Sequence, residues 1–385
     1  MDALLTDGNE RAALAAARSL VKSGYDVGVA STRRFSLAGV SRGVRRLRLS
    51  TDPLADPTAY AAEVGDLARR LDARVVLPVT DASVDAVLGN RQHVPPSAAL
   101  PFPDLATYRA ASDKREMLDR ARRAGLAVPE TVLVEHAGNV LPTADFFPAV
   151  LKPHRSVIHS ESGRQHLAVR FVDSPMQCRA ALHDLPPAAF PILLQRRVRG
   201  AGEGLFVLRW NGRVIAEFAH RRLREKPPEG GVSVYRESIV ADAALVAAGS
   251  RLLDELDWQG VAMIECKRDE ETGRHVFMEV NGRLWGSLQL AIDAGVDFPQ
   301  LLIACALGKS VPALTHYRVG VRSRWFWGDV DHLYLRLRNG GGAAGKLAAL
   351  RDFLRRKQSH REEIWRWRDP APFLLESLQQ LGLAR

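Results

Sequence analysis

Between Val261 and Arg283 the sequence reads VAMIECKRDEETGRHVFMEVNGR, and three of its side chains, Glu265, Glu279 and Asn281, carry hard oxygen donors. Apolar and polar residues alternate on either side of a polar turn ending at Gly273, the period of two that strands demand, so the stretch reads as a β-hairpin. With Lys267 across from His275, Glu265, Glu279 and Asn281 project from one face as neighbours roughly 5–8 Å apart. Two glutamates that close repel each other unless a cation lies between them, and oxygen donors without sulfur or imidazole suit magnesium, or manganese in its place. Magnesium takes one or two carboxylates and completes its octahedron with water and phosphate oxygens, so the site implies a nucleotide as well as a metal. Arg283, two residues past Asn281, is then placed to hold a phosphate oxygen. The plain alternative is that these residues line the wet face of a two-sided sheet. That suits a lone strand glutamate better than three converging oxygens followed by an arginine.

The segments that must position this hairpin carry cations of their own. The chain has eight lysines against 46 arginines, which makes each lysine worth placing. Lys114 opens a helix in SDKRE, with Asp113 and Glu116 in capping-box spacing and a stop at Gly125. Lys152 ends the apolar strand AVLKP, where it either snorkels to solvent or places a compact charge on a phosphate. His154 to Gln165 reads as a polar loop and His166 to Val172 as the strand after it. Ile192 to Gln195 is a buried strand running into Arg196, Arg197, Val198 and a glycine-rich turn. Such a hinge lets an aromatic base slide between two lobes, with Glu203 reaching toward a ribose; the same pattern also suits a simple hairpin turn. From His220 through Lys226, Gly230-Gly231 and Arg236, cations interleave with a mobile glycine turn. That fits either a solvated surface loop or one in which Arg222 and Arg236 grip an anionic substrate or a transferring phosphoryl group. Ala243 to Leu256 is the helix before the hairpin.

Residues 1 to about 100 alternate strands (Ala3–Thr6, Val27–Ala30, Val75–Val79) with helices (Glu10–Lys22, Ala59–Leu71), the order of a parallel, Rossmann-like sheet. Gly8 stands alone where a dinucleotide fingerprint has several glycines, so no nucleotide site is expected there. Thr6-Asp7 and Thr80-Asp81-Ala82-Ser83 at the strand ends either hold a substrate or cap the following helices. HVPPSAALPFP (93–103) marks a boundary. After Arg283, Ser287 caps a short helix ending at Gly295, and Asp297 with Pro299 starts another that ends at Gly308. Arg318 to Trp327 alternates like a strand, Asp331 to Arg338 is helical, Gly340-Gly341-Gly342 is a break, and the rest is basic helix with Trp365 and Trp367. These basic and aromatic residues either meet nucleic acid or a membrane surface or pack as a C-terminal cap. Packing is favoured, because no stretch pairs a wide apolar face with a continuous basic one.

At 385 residues the chain exceeds one ordinary core, so two or three domains are expected, and a hydrophobic content of 46% is ample to fill them. There is no basic n-region with an apolar core at the start, and no run near the ~20 apolar residues of a membrane span. Cys178, Cys266 and Cys305 lack paired or metal-ligand spacing, which fits a reducing cytoplasm. The formal charge of +10 is spread along the chain instead of gathered in blocks, which favours anionic small molecules over nucleic acid as partners.

Taken together these pieces resemble the ATP-grasp superfamily, in particular its branch of predicted ATP-dependent carboligases or carboxylate-amine ligases. The resemblance runs to about Leu314, and Glu265 with Glu279-Val280-Asn281-Gly282-Arg283 carries most of it. It implies an α/β fold, α+β in its central part. An N-terminal Rossmann-like domain (1–102) would precede an ATP-grasp domain (103–315), whose lid lobe (about 125–196) and metal-bearing lobe (about 197–315) clamp ATP. A basic, helical C-terminal extension (316–385) has no counterpart in the shared core. By resemblance Glu265, Glu279 and Asn281 hold Mg²⁺ or Mn²⁺, and Lys114, Lys152 and Arg283 contact ATP phosphates. Gln195, Arg196, Arg197 and Val198 fall at the adenine hinge and Glu203 near the ribose. Arg196 stands where many relatives carry an acidic residue, and the loop after Lys152 lacks the usual glycine cluster.

The reaction so implied moves the γ-phosphoryl of ATP to a carboxylate, after which an amine attacks the acylphosphate to form a carbon–nitrogen bond, ADP and phosphate. Lys152, Arg222, Arg236 and Arg283 are its candidate catalytic cations, since phosphoryl transfer needs positioning and charge neutralisation more than covalent help. Transfer to a thiol, simple phosphorylation, and a non-catalytic nucleotide- or nucleic-acid-binding role are the rivals. The partners expected are a small carboxylate and an amine, with no membrane span, and a homodimer would be unsurprising.

Overall fold

A computed structural model describes residues 1–154, 157–160, 163–314, 316–339, 342–355 and 360–383, with backbone alone for 157–160 and 163–166. Strands β1 (Ala3–Leu5), β2 (Val27–Ser31), β3 (Arg45–Arg48) and β4 (Val75–Leu77) form a parallel sheet in the order β3-β2-β1-β4. β1, β2 and β4 are buried at every position because helices cover both faces. Helix α1 (Arg11–Lys22) packs on the face of Ala3 and Leu5, and α2 (Pro57–Arg70) and α3 (Asp81–Gly89) pack on the face of Leu4 and Val76. β3, with three arginines in four residues, is an exposed edge strand that period and apolarity did not announce. Asp7 bends the chain after β1 at φ 55°, a left-handed conformation that aspartate tolerates. Its carboxylate accepts from Val79 N (3.0 Å), Thr80 N (3.2 Å) and Ser83 Oγ (2.6 Å), so it ties the end of β1 to the end of β4.

α4 (Leu105–Ser112) and α5 (Lys114–Arg123) lead into a second sheet, and Asp113 caps α5 by accepting from Arg115 N and Glu116 N. Strands β5 (Thr131–Val134), β6 (Ala149–Pro153), β9 (Arg170–Val172) and β10 (Ile192–Arg196) pair antiparallel in the order β5-β10-β6-β9, while β7 (Val157–Ser160) and β8 (Gly163–His166) form a separate hairpin. The polar loop expected over 154–165 is thus partly hairpin, its residues 155–156 and 161–162 lie outside those described, and the next strand starts at Arg170, not His166. α6 (Pro175–His183) closes this lobe over a core of its own, including Val134, Leu151, Cys178, Leu182 and Leu194.

The third sheet is the largest. β11 (Gly200–Trp210), β12 (Arg213–Lys226), β13 (Val232–Ile239), β14 (Gly260–Asp269), β15 (His275–Asn281), β16 (Arg322–Arg324) and β17 (His360–Glu362) are ordered β15-β14-β11-β12-β13-β16-β17. α7 (Ala243–Glu255), α8 (Leu288–Ala294) and α9 (Phe298–Ala306) pack around it, and one continuous core joins it to the N-terminal sheet. The expected mobile loop over 220–236 is corrected: only 227–231 is turn, because the alternating cations sit on two paired strands whose faces they share out.

The C-terminal extension is also more than appended helix. β16 and β17 complete the sheet beside β13, followed or flanked by α10 (Phe326–Asn339), α11 (Gly342–Leu354) and α12 (Ala371–Gln380). The strand expected over 318–327 shrinks to three residues because Phe326 already starts α10, and Gly340 and Gly341 lie outside the described residues. Trp365 and Trp367 sit edge to face between β17 and α12, with centroids 5.2 Å apart, not within a helix. Just beyond β17, buried Glu363 accepts from Arg11 of α1 (2.9 Å) and pairs with Arg236 of β13. Among the described residues no single helix is long and apolar enough to cross a membrane, and the three cysteines are free and buried.

Candidate active site

The β14–β15 hairpin forms, with a different register from the one expected. Lys267 pairs with Val276 and Arg268 with His275, and a bulge between Glu265 and Cys266 then sets Glu265 directly opposite Glu279 and Met263 opposite Asn281. The bulge restores the parity that a one-residue slip would have reversed. Both carboxylates and the amide therefore still share a face, while His275 turns to the other.

Each carboxylate has its own cation. Arg222 of β12 meets Glu265 at 2.5 Å and Glu225 at 3.0 Å, and Lys114, the first residue of α5, lies 3.6 Å from Glu279. Asn281 donates to Glu279 Oε1 (3.2 Å), and its own Oδ1 accepts from Arg283 (3.3 Å). Asp81, opening α3, accepts two bonds from Arg283 (3.0 and 3.1 Å) and so aims that guanidinium along the strand end. Burial opposes the charge on Glu279, but Lys114, Lys152, Asn281 and Arg283 outweigh it and hold its pKa down. On Glu265 burial and the nearby Glu279 prevail over Arg222, and its pKa is raised. Lys152, on β6, is lowered by burial against the pull of both glutamates, and its Nζ rests 3.7 Å from Met278 Sδ.

No three His, Cys, Asp or Glu side chains gather for an ion among the described residues. Two opposed carboxylates and an amide oxygen, with water and phosphate to complete the shell, fit magnesium, which seldom takes an all-protein cage.

Of these groups, Lys152, Arg222, Glu225, Glu265, Glu279, Asn281 and Arg283 line a cleft of about 660 Å³ between the second and third sheets. Val150, Val169, Phe171, Val198, Met263 and Met278 give the same cleft apolar walls suited to a flat ring, and Gln195, Arg196 and Arg197 line it as well. Gln195 is buried and donates to Thr131 Oγ1 (3.1 Å), Arg196 pairs with Glu130 (2.8 Å), and Arg197 stacks over Phe171 at 5.1 Å. Lys267 Nζ donates to the Val198 carbonyl (3.3 Å), tying this connection to β14.

Residues 191–327 match the family model described as ATP-grasp in the biosynthetic pathway with Ter operon. Among solved structures, an L-amino acid ligase from Bacillus licheniformis superposes with a TM-score of 0.62 at 16% identity, over 80% of this chain and 74% of that one. The chain has the ATP-grasp fold, and its residues 191–327 carry the match to an ATP-grasp family. An N5-carboxyaminoimidazole ribonucleotide synthetase from Thermus thermophilus gives 0.61 at 17% identity, covering 83% of this chain and 81% of that one. The biotin carboxylase domain of the Hydrogenobacter thermophilus 2-oxoglutarate carboxylase, a complex with MgADP and bicarbonate, gives 0.61 at 14% identity over 83% of this chain and 73% of that one. No curated protein sequence matches. ATP-grasp enzymes typically use ATP with Mg²⁺.

Three expected residues do not line the cleft: Lys114, which meets Glu279 at 3.6 Å, and Glu203 and Arg236. Glu203 pairs with Cys266 and Arg221, so it projects from the face opposite Glu265, where it accepts from Arg221 (2.8 Å) and bonds His275 Nε2 (2.8 Å). A side chain so engaged and only 2% exposed does not reach a ribose in the cleft. Arg236 is fully buried beneath the cleft, donating to the Ser233 carbonyl (2.7 Å) and paired with Glu363, so it is not free to grip a substrate.

Three cleft residues went unseen in the sequence. Arg11 lines it from the start of α1, a placement that strand-end reasoning could have found. His220 lines it with both ring nitrogens lacking partners among the described residues, and burial between Arg222 and Arg236 keeps its pKa well below the usual histidine value. Trp285 packs at 4.4 Å on Phe206 and closes the floor. The sequence placed His220 only at the head of the cationic stretch, and nothing in the local pattern marked Trp285.

Proposed function

We propose that this chain is an ATP-dependent ligase that activates a carboxylate as an acylphosphate and joins it to an amine, forming a carbon–nitrogen bond and releasing ADP and phosphate in the cytoplasm. The observation that carries this reading is the direct opposition of Glu265 and Glu279 in a cleft that also holds Lys152, Arg222 and Arg283 and a set of apolar walls.

In this reading the flat apolar end takes adenine, with the backbone of Arg196 to Val198 along its edge. Lys114 and Lys152 neutralise the phosphate chain, and Arg283, braced by Asp81, lies toward the transferring group. Glu265, Glu279 and Asn281 would hold Mg²⁺, which when bound offsets the charge of the phosphoryl oxygens. Arg222 keeps Glu265 in place from β12 and links it to Glu225. The second sheet, with its separate core, covers the cleft and limits the water that competes with the acceptor. Arg11 and His220 at the far side, near Trp285 and Ser287, are positioned toward the carboxylate acid.

The decisive experiment is a screen of carboxylates paired with amines for stimulated ADP release, with the product identified by mass. An amide product made only with both partners supports the ligase. A thioester or a stable phosphate ester would replace it with one of the rivals, and steep salt-dependent binding to duplex DNA without ADP release would sink the enzyme reading.

A further inference from the structure

A second cavity, of about 400 Å³, lies on the side of β12 and β13 away from the cleft, roofed by α10 and α11. Its existence follows from an irregularity in β12, whose pairing with β13 shifts between Arg222 and Arg224 and again between Arg224 and Glu225. Arg222, Glu225 and Lys226 therefore line the cleft, while Arg224 between them turns to the far face and lines the second cavity. Arg322, Arg336 and Arg355 converge on the same space, against a single lining carboxylate, Asp352.

Part of this charge is answered locally. Arg224 binds buried Asp329 (2.7 Å), which also serves Arg324 (2.6 Å), Arg322 binds Glu237 (2.8 Å), and Arg336 binds Asp352 (3.1 Å). Arg355 has no carboxylate partner among the described residues, and it is exposed at the cavity mouth.

Two further side chains mark the cavity as built for a ligand. Tyr235 is 4% exposed, and its hydroxyl proton has no acceptor among the described residues, Arg322 standing close enough to donate weakly to its oxygen. His332 is 7% exposed; its Nδ1 donates to the Glu225 carbonyl at 2.6 Å, and its Nε2 has no partner among the described residues. Buried polar atoms are nearly always satisfied, and these two belong to residues that line one space together with the guanidinium groups. With Nδ1–H committed to the carbonyl and burial keeping the ring neutral, Nε2 is an acceptor.

We propose that this cavity is a second anion site that takes a phosphate group still carrying a proton, as inorganic phosphate or a phosphate monoester. Arg224, Arg322, Arg336 and Arg355 donate to its oxygens, the Tyr235 hydroxyl donates to another, and the P–OH donates to His332 Nε2. Guanidinium groups match phosphate geometry, and only a protonated oxyanion satisfies the imidazole acceptor. Arg336 and Arg355 lie outside the stretch 191–327 that carries the ATP-grasp match, so the site is completed by this chain's own C-terminal extension.

Calorimetric titration of the full chain tests this, with inorganic phosphate, phenyl phosphate and sulfate at fixed ionic strength. Each is run in a Lys152→Ala background, so that the cleft contributes little. Phosphate should bind roughly ten-fold or more tightly than sulfate, since sulfate leaves the buried acceptor unpaired. The double variant Arg336→Gln/Arg355→Gln should weaken phosphate by a similar factor. Arg355→Gln alone, at an exposed helix end, and Tyr235→Phe should each weaken it several-fold without lowering the melting temperature. Tighter binding of phenyl phosphate identifies a monoester as the source, and tighter binding of inorganic phosphate identifies the free ion. Equal affinity for sulfate, an adventitious ion only, or affinity unchanged in Arg355→Gln and the double variant, overturns the site.

Discussion

Glu265 and Glu279 face each other across β14 and β15, yet each is neutralised from a different direction, the first by Arg222 at 2.5 Å and the second by Lys114 at 3.6 Å. Their ionisation is pulled apart as a result: burial and its neighbour raise Glu265, while Lys114, Lys152 and Arg283 overcome burial to lower Glu279. A divalent cation placed between them would favour the charged form of both and draw the raised pKa of Glu265 down as it binds.

Glu279→Gln removes that standing charge while keeping the shape of the side chain. ATP turnover should fall by about 10³-fold or more, several kcal/mol of transition-state stabilisation, with the circular dichroism spectrum and melting temperature near those of the parent. Turnover within about ten-fold of the parent would remove the metal role from this hairpin.

Arg222→Gln should act through pH. The folded chain holds the Glu265 proton above its usual range, so cation binding weakens as pH falls through that raised value. Taking away Arg222 leaves burial, Glu279 and Glu225 unopposed, the Glu265 pKa climbs further, and the acid limb of the turnover profile moves to higher pH. Rates measured from about pH 5 to 8 decide it, and an acid limb that stays put would separate Glu265 from the cation.

Glu203→Gln separates the ribose expectation from the geometry. The carboxylate is bonded to Arg221 and His275 on the far face, so the substitution should leave the KM for ATP within about two-fold and lower stability by roughly 1–3 kcal/mol. A large rise in KM at unchanged stability would return Glu203 to the cleft.

The metal hairpin was legible because a period of two needs only local sequence, and Glu265, Glu279 and Asn281 share a parity whichever of the two registers holds. The register itself was not, since the bulge after Glu265 is fixed by packing of Cys266 and Phe277 into the core. Glu203 failed for the same reason in reverse: parity along β11 is clear, but which parity faces the cleft depends on its pairing with β14, some sixty residues later. β16 and β17, of three residues each, carry no period at all, and their partner β13 is distant in sequence. The N-terminal sheet was readable because its strands are uniformly apolar, with the charged edge β3 as the exception.

Glu376 gives a pH effect on stability alone. Its carboxyl accepts from Trp325 Nε1 at 2.7 Å, and burial pushes its pKa up to about 7 from an ordinary 4.5, against that bond and the charge of Arg11. The native chain therefore holds a proton that the unfolded chain loses, so its stability is highest below pH 4.5 and declines as pH rises to about 7. The span corresponds to at most about 3 kcal/mol, less to the extent that water reaches the group. Glu376→Gln should flatten this slope in melting temperatures taken from pH 5 to 8, and an unchanged slope would assign it to other groups.

The last test concerns Glu363, which holds Arg11 of α1 and Arg236 of β13 from its place just beyond β17 in the C-terminal extension. Two guanidinium groups on one buried carboxylate leave a net positive charge out of water, which Coulomb attraction offsets only while the carboxylate stays. Glu363→Gln should therefore cost about 3 kcal/mol or more and loosen the contact between the extension and the N-terminal sheet, read as a lower urea midpoint and faster exchange in α1. Since Arg236 does not line the cleft, Arg236→Met together with Glu363→Leu should recover part of that loss, because it removes the fully buried guanidinium along with the carboxylate and leaves only Arg11, which lines the cleft. If the double variant is as unstable as the single one, the trio contributes more by its geometry than by its charge, and the extension is held on by other contacts such as Arg18 with Asp369 (2.7 Å).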